Sequence, residues 1–148
     1  MDSIEDGFPI VVLTVLVVDD RSMARRIASR ILSEEGFRVL EADGMGEALE
    51  VLAQARGRID LVMLDVVLAD GDGVKLARQI QEEWPEQRIL FMSGFAAEVL
   101  TRHGLRDLEV PFLAKPFTRS ELLTKVAEAI DQPARQARSP APARPNQE

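Results

Sequence analysis

The chain has 148 residues, 46% of them hydrophobic, and a net charge of −7 from 25 acidic and 18 basic residues. That length holds one domain with a full core, the negative charge argues against unaided nucleic-acid binding, and the lack of cysteine excludes disulfides, thiolate metal sites and a cysteine nucleophile. The longest apolar run, Ile10 to Val18, falls well short of the about 20 residues of a membrane helix, and Asp2, Glu5 and Asp6 do not make the basic start of a signal peptide, so a cytoplasmic location is expected.

Residues 1–12 read as a short acidic leader. A first strand is predicted at Thr14–Val18, followed by a helix with Met23, Ile27, Ile31 and Leu32 on one face and Gly36 at its end. A second strand at Arg38–Ala42 precedes a helix whose face is Ala48, Leu49, Leu52 and Ala55, stopping near Gly57. The third strand, Ile59–Leu64, leads to a helix burying Val74, Ala77 and Ile80 and stopping before Pro85. A fourth strand at Arg88–Met92 precedes a helix around Ala96–His103 that ends at Gly104. The fifth strand, Val110–Ala114, is followed by Thr118-Arg119-Ser120-Glu121, a capping box that starts a helix burying Leu122, Val126 and Ile130.

These strand runs lack polar alternation, which suits a parallel sheet covered on both faces. Five β/α pairs predict an α/β fold over residues 13–131: a doubly wound, five-stranded parallel sheet, flavodoxin-like (βα)5, with strand order 2-1-3-4-5. Residues 132–148 contain four prolines and no aliphatic side chain larger than alanine, and read as a disordered Pro/Ala/Arg tail. Arg135, Arg138 and Arg144 in that tail suit a solubilising linker better than a docking element.

Polar residues close four of the strands: Asp19-Asp20 after TVLVV, Asp65 after LVML, Ser93 after RILFM and Lys115 after PFLA. In an open parallel sheet these ends face one crevice. Two like charges 4 Å apart repel by roughly 4 kcal/mol at an effective dielectric near 20, so three carboxylates there call for a cation. A hard, oxygen-seeking Mg²⁺ is the natural occupant, and acids with a lysine and a hydroxyl suit phosphoryl chemistry. Asp19 and Asp20 alone could simply begin a helix, where acids are common. Asp65 at the end of another strand weighs against that.

In this order, VLVVDD, LVMLD, FMSG and FLAKPF are similar to the receiver domain of two-component response regulators, over roughly residues 13–131. The resemblance implies that Asp65 is the phosphoacceptor, forming an acyl phosphate. It implies that Asp20 holds Mg²⁺ directly, Asp19 largely through water, and Val67 through its backbone carbonyl. Lys115 would neutralise charge on the transferred phosphoryl group, and Ser93 would donate its hydroxyl to a phosphoryl oxygen. Phe112 stands at the switch-aromatic position, its ring expected to fill the space Ser93 vacates; taken alone, it also suits a core aromatic on a strand. Gly94 leaves the mouth open for a donor histidine, and the Lys115-Pro116 bond is expected to be cis. Asp70-Gly71-Asp72-Gly73 reads as a flexible loop, with Ala69 where the family often has proline.

Other patterns are incomplete. Asp70, Asp72 and Gly73 match part of a calcium loop, but Leu68 and Gln79 stand where two ligands are needed. Gly44-Met45-Gly46 lacks the third glycine of a dinucleotide fingerprint, having Leu49 there. A haloacid-dehalogenase-type phosphatase needs a second aspartate where Val67 stands. His103 reads as a solvated residue.

The expected function is that of a phosphoacceptor receiver in a two-component or phosphorelay system. It is a regulatory switch rather than an enzyme, although it assists its own phosphorylation and dephosphorylation. The donor is a histidine kinase or a histidine phosphotransfer protein. The signal leaves through the surface of the fourth helix, fifth strand and fifth helix toward a protein target, or the phosphoryl group is passed on. VPFLAKPF and LFMSGF are most similar to receivers of hybrid histidine kinases, which favours a relay. Val110 and Pro111 stand where winged-helix regulators carry two acids, so a monomer is expected. The alternatives are a phosphorylation-independent protein-binding module with a receiver fold and a metal-dependent phosphohydrolase.

Overall fold

Runs of Val, Leu, Met and Phe form one five-stranded parallel sheet with helices on both faces. The computed structural model describes residues 3–5, 8–94 and 111–131. In chain order its elements are β1 Ser3–Glu5, β2 Phe8–Ile10, β3 Thr14–Val18, α1 Ser22–Glu34, β4 Arg38–Ala42, α2 Met45–Ala55, β5 Leu61–Asp65, β6 Val67–Leu68, β7 Gly71–Asp72, α3 Gly73–Glu83, β8 Ile89–Ser93, β9 Phe112–Ala114 and α4 Arg119–Asp131. The helix expected at Ala96–His103, its end at Gly104, Val110 and the tail 132–148 lie outside the described residues.

The main sheet has the order β4-β3-β5-β8-β9, all neighbours parallel. Counting these five strands along the chain gives 2-1-3-4-5, the order expected from the sequence. Alternate strand residues feed two cores. Leu16, Val18, Val62, Leu64 and Phe91 pack with α2 and α3, whereas Val15, Val17, Met63, Leu90 and Met92 pack with α1 and α4. Each fully buried side chain of this size stabilises the fold by about 1.5–3 kcal/mol relative to its exposed state. From the neighbouring strands β3 and β5 the chain leaves to opposite faces, to α1 on one and α3 on the other, and this opens a crevice between their ends.

Local signals hold at most ends. Gly36 takes φ 98° after α1, and Arg56 and Gly57 take φ 52° and 78° after α2. The capping box forms as expected: Thr118 N–H donates to Glu121 Oε1 at 2.9 Å, and Glu121 N–H donates to Thr118 Oγ1 at 3.0 Å. Ala48, Leu52, Val74, Ala77, Ile80, Leu122 and Val126 are buried, and Leu49, Ala55 and Ile130 pack against the cores.

Helix α1 keeps half of the expected face: Leu32 is buried and Ile31 packs against the core, but Met23 and Ile27 do not. Ala28, Ser29 and Leu32 are buried, while Met23 and Ile27 are 72% and 53% exposed. The core stripe runs through Ala28 and Leu32, about one turn apart, which leaves Met23 and Ile27 on the flank of the helix, facing outward. Arg25 lies on the inward side instead, its Nε donating to Glu41 Oε1 at 2.9 Å.

Two strands are displaced toward the crevice. The third was expected at Ile59–Leu64 but runs Leu61–Asp65, and the fourth ends at Ser93 rather than Met92. Asp60 explains the late start, because its N–H donates to Thr14 O at 2.8 Å and its Oδ2 accepts from Thr14 N–H at 2.7 Å. That side-chain bond replaces a ladder bond. Within residues 1–12, β1 and β2 pair antiparallel.

Candidate functional site

The carboxyl ends of β3, β5, β8 and β9 bring Asp19, Asp20, Asp65, Ser93 and Lys115 to one edge of the sheet. Asp65 and Ser93 are themselves the last ladder residues, paired with Met92 and Ala114. Lys115 follows β9 directly, and its N–H donates to Ser93 O at 2.8 Å. The backbone thus fixes where each side chain begins.

Lys115 Nζ donates to Asp19 Oδ2 and to Asp65 Oδ2, each at 2.8 Å. Asp19 and Asp65 are 1% and 6% exposed, whereas Asp20 is half-buried at the rim. Carboxylate oxygens of Asp19, Asp20 and Asp65 all lie within 4.8 Å of one another. Three hard oxygen donors at that spacing fit a Mg²⁺ ion that keeps several waters. Burial pushes the Asp65 carboxyl above its ordinary value, only partly opposed by the Lys115 hydrogen bond. Burial works to lower Lys115, but hydrogen bonds to Asp19 and Asp65 hold the ammonium above its ordinary value.

Backbone donors and one arginine fix the acids. Asp65 Oδ1 accepts from Val67 N–H at 3.1 Å, and Asp19 Oδ1 accepts from Arg21 N–H at 2.9 Å. Arg25 Nη1 donates to the Asp19 carbonyl at 2.8 Å, joining α1 to the end of β3. Nothing in the sequence flagged Arg25; an arginine six residues after an acid carries no recognisable spacing. Val67 is half-exposed beside Asp65, and Ser93 is buried at 1% exposure. Phe112 is half-buried at the start of β9 and packs against the core that α2 and α3 cover. Gly94 is exposed, with open space where a Cβ would stand.

Asp70-Gly71-Asp72-Gly73 is not the loose loop expected. Val67–Leu68 and Gly71–Asp72 pair as a two-stranded hairpin, Asp72 caps α3 by accepting from Val74 N–H at 2.8 Å, and Gly73 N–H donates to Val66 O at 2.7 Å. Gly73 is required here, since a Cβ would run into the Asp65 carbonyl oxygen. The Lys115-Pro116 bond is cis, as expected. A groove of about 470 Å³ lies beside the site, lined by Ala24, Ile27, Gly94, Lys115, Pro116 and Phe117 among others. His103 lies outside the described residues.

Residues 15–127 match the response regulator receiver domain family. The chain is 35% identical over 119 residues to the sensor kinase CckA of Brucella abortus (strain 2308), covering 80% of this chain but 13% of that protein. It is 28% identical over 116 residues to the response regulator receiver protein CpdR of the same organism, covering 78% of this chain and 95% of CpdR. A solved response regulator from Thermotoga maritima superposes with a TM-score of 0.71 at 30% identity, covering 82% of this chain and 100% of that one. A parallel sheet of the expected strand order, an acid-lysine cluster at its carboxyl edge and these likenesses agree, and the chain belongs to the response regulator receiver domain family.

Proposed function

We propose that the chain takes a phosphoryl group from a phosphohistidine onto Asp65 in a Mg²⁺-dependent reaction, within residues 13–131 as the receiver unit. The observation that carries this reading is Lys115 held at 2.8 Å from both Asp19 and Asp65, with Asp20 completing the carboxylate cluster. In the transfer, an Asp65 carboxylate oxygen bonds to phosphorus as the phosphorus–nitrogen bond breaks. The imidazole leaves with that electron pair and returns to its neutral form with a proton from solvent. Asp20, Asp19 and Asp65, with the Val67 carbonyl, are the groups that would hold Mg²⁺, which would neutralise phosphoryl charge when bound. Lys115 supplies a compact positive charge to a phosphoryl oxygen, and Ser93 a hydroxyl. These groups act on the chain's own acyl phosphate, so the domain assists a switch and does not turn over a substrate.

Docking of the donor is supported by the groove beside Lys115. Met23 and Ile27 stand exposed on α1, with Ile27, Gly94 and Phe117 on the groove wall. A phosphohistidine protein with an apolar patch could cover these residues while its imidazole passes Gly94. Phe112, half-buried at the edge of the sheet, is the aromatic whose packing would follow Ser93. The likeness to the receiver portion of a sensor kinase supports a place in a phosphorelay, with a histidine kinase or phosphotransfer protein as donor. We read the unit as a cytoplasmic monomer; among the described residues no helix is long and apolar enough to cross a membrane.

Intact mass after incubation with acetyl phosphate and Mg²⁺, beside an Asp65→Ala control, tests the reading. One added phosphoryl group on the wild type and none on the control is expected. No adduct from acetyl phosphate or from a phosphorylated histidine protein would overturn it in favour of a phosphorylation-independent binding module.

A further inference from the structure

The hairpin after the phosphoacceptor is fastened at a point far from the reacting atoms. Helix α2 begins after Gly44, which has no side chain to cap it. The cap comes instead from Asp70, at the tip of the hairpin: Met45 N–H donates to both Asp70 oxygens, at 3.1 and 3.0 Å. A carboxylate at a helix N-terminus meets unpaired N–H groups and the positive end of the helix dipole. Glu47 closes the other side, accepting from Asp43 N–H at 2.7 Å.

Two glycines make room for this contact. A Cβ on Gly44 would stand 2.7–2.9 Å from the Asp70 carboxylate, whose three atoms are its nearest neighbours. Gly44 has φ −177°, an extended conformation open to any residue, so the lack of a side chain there serves close approach rather than backbone strain. Gly71 takes φ 159°, and a Cβ there would run into the Met45 sulfur. The contact therefore involves both residues on each side. Between Asp65 and Asp70 the chain has few other ways to move: Val67 N–H is bonded to Asp65 Oδ1, and Leu68 is buried in the core.

We propose that Asp70 is a positioning residue for the phosphoacceptor site. By capping α2 from outside the helix, it holds the 66–72 hairpin in place and so sets the Val67 backbone against Asp65. This deepens the aspartyl-phosphate reading and rests on it for the identity of the site. Asp70 is not one of the clustered carboxylates Asp19, Asp20 and Asp65. It acts through the hairpin, as outer groups that orient metal ligands do. The calcium-like Asp70-Gly71-Asp72-Gly73 run is then accounted for as two helix caps joined by a tight turn, Asp70 on α2 and Asp72 on α3.

The test uses the full chain with Asp70→Ala, Asp70→Asn and Gly44→Ala. Three quantities are read well below each melting temperature: Mg²⁺ affinity by calorimetry, the hydrolysis rate of the phosphorylated form, and amide exchange in peptides spanning 43–48 and 66–73. Asp70→Ala is expected to weaken Mg²⁺ binding about tenfold, to change the hydrolysis rate and to speed exchange in both peptides. Asp70→Asn keeps an oxygen that can accept from Met45 N–H and should restore most of the loss. Gly44→Ala, outside the hairpin, should mimic Asp70→Ala and add little to it in the double variant, because both break one contact. Altered stability with unchanged Mg²⁺ affinity and hydrolysis would reduce Asp70 to an ordinary cap and overturn the proposal. If the wild type binds Mg²⁺ but accepts no phosphoryl group, the proposed function fails, while Asp70 is still judged by Mg²⁺ affinity and exchange. If it binds no Mg²⁺, both fall.

Discussion

Lys115 Nζ lies 2.8 Å from Asp65 Oδ2, so the carboxylate proposed to attack phosphorus is held by a cation before any donor arrives. The same ammonium is shared with Asp19 at 2.8 Å. Lys115→Met keeps much of the apolar stem and removes the charge. Labelling by acetyl phosphate, followed by intact mass over time, should slow by about a hundredfold or more, as when a charge-stabilising donor is removed from a reaction centre.

Asp65 carries a pH dependence whose sign follows from its burial. Its folded carboxyl lies above the ordinary 3.8, so the native state favours the protonated form. The stability it contributes is complete below the unfolded value and is lost as pH rises through the raised one. Asp65→Asn should therefore stabilise the Mg²⁺-free protein at pH 7, with the advantage shrinking toward pH 3.8, as read from urea melts across pH. Labelling of the wild type in Mg²⁺ should fall only at a pH below that raised value, because a protonated carboxyl does not attack and bound Mg²⁺ favours the ionised form.

Removal of Mg²⁺ should lower the melting temperature. Saturation at 100 times the dissociation constant stabilises a folded protein by about 2.7 kcal/mol, which is several degrees for a domain of this size. Asp20→Ala should abolish most of that rise in a thermal melt with and without EDTA. An undiminished rise would place the metal elsewhere.

Donor docking separates from chemistry at α1. Ile27→Asp introduces a charge on the groove wall, 53% exposed and remote from the core. Transfer from a phosphorylated histidine protein should fall by about 30-fold, the weight of one interface anchor of about 2 kcal/mol. Labelling by acetyl phosphate should stay at the wild-type rate, since that donor needs no protein contact.

Gln87 provides the opposite control. It is buried, and its Nε2 donates to the carbonyls of Ile59 at 3.0 Å and Arg88 at 3.1 Å, at the far end of the strands from Asp65. Gln87→Leu should cost about 1–3 kcal/mol by removing the donor to the buried Ile59 carbonyl, whereas the Arg88 carbonyl still accepts from Val62 N–H at 3.0 Å. A urea melt should show that loss, with labelling at Asp65 unchanged at 25 °C.

The sheet was legible because each strand is a short run of apolar residues ended by a polar one, so Asp19, Asp65, Ser93 and Lys115 marked their own places. Two of the runs nevertheless begin later than read, the third of them because Asp60 uses its side chain where a ladder bond would be. The first half of the α1 face was misread for a different reason, while Ile31 and Leu32 pack on the core as read. Met23 and Ile27 have the spacing and hydrophobicity of core residues, and nothing local distinguishes a core stripe from an exposed apolar one. Arg25 and Asp70 were missed as supports because their partners are the Asp19 carbonyl just after β3 and the first N–H of α2, backbone groups that leave no mark on composition. Asp70 did leave one trace, the glycines at 44 and 71 that its contact requires.

Lys115 N–H donates to the Ser93 carbonyl, and β9 has β8 as its neighbour in the sheet, which places it at the border. Among the described residues it is the shortest strand of the main sheet, three residues long. A pull on Ser93 at the crevice is therefore transmitted to this strand, and Phe112 sits at its start. The proposed chemistry lies near the middle of the sheet, and the strand that carries Phe112 lies at its border.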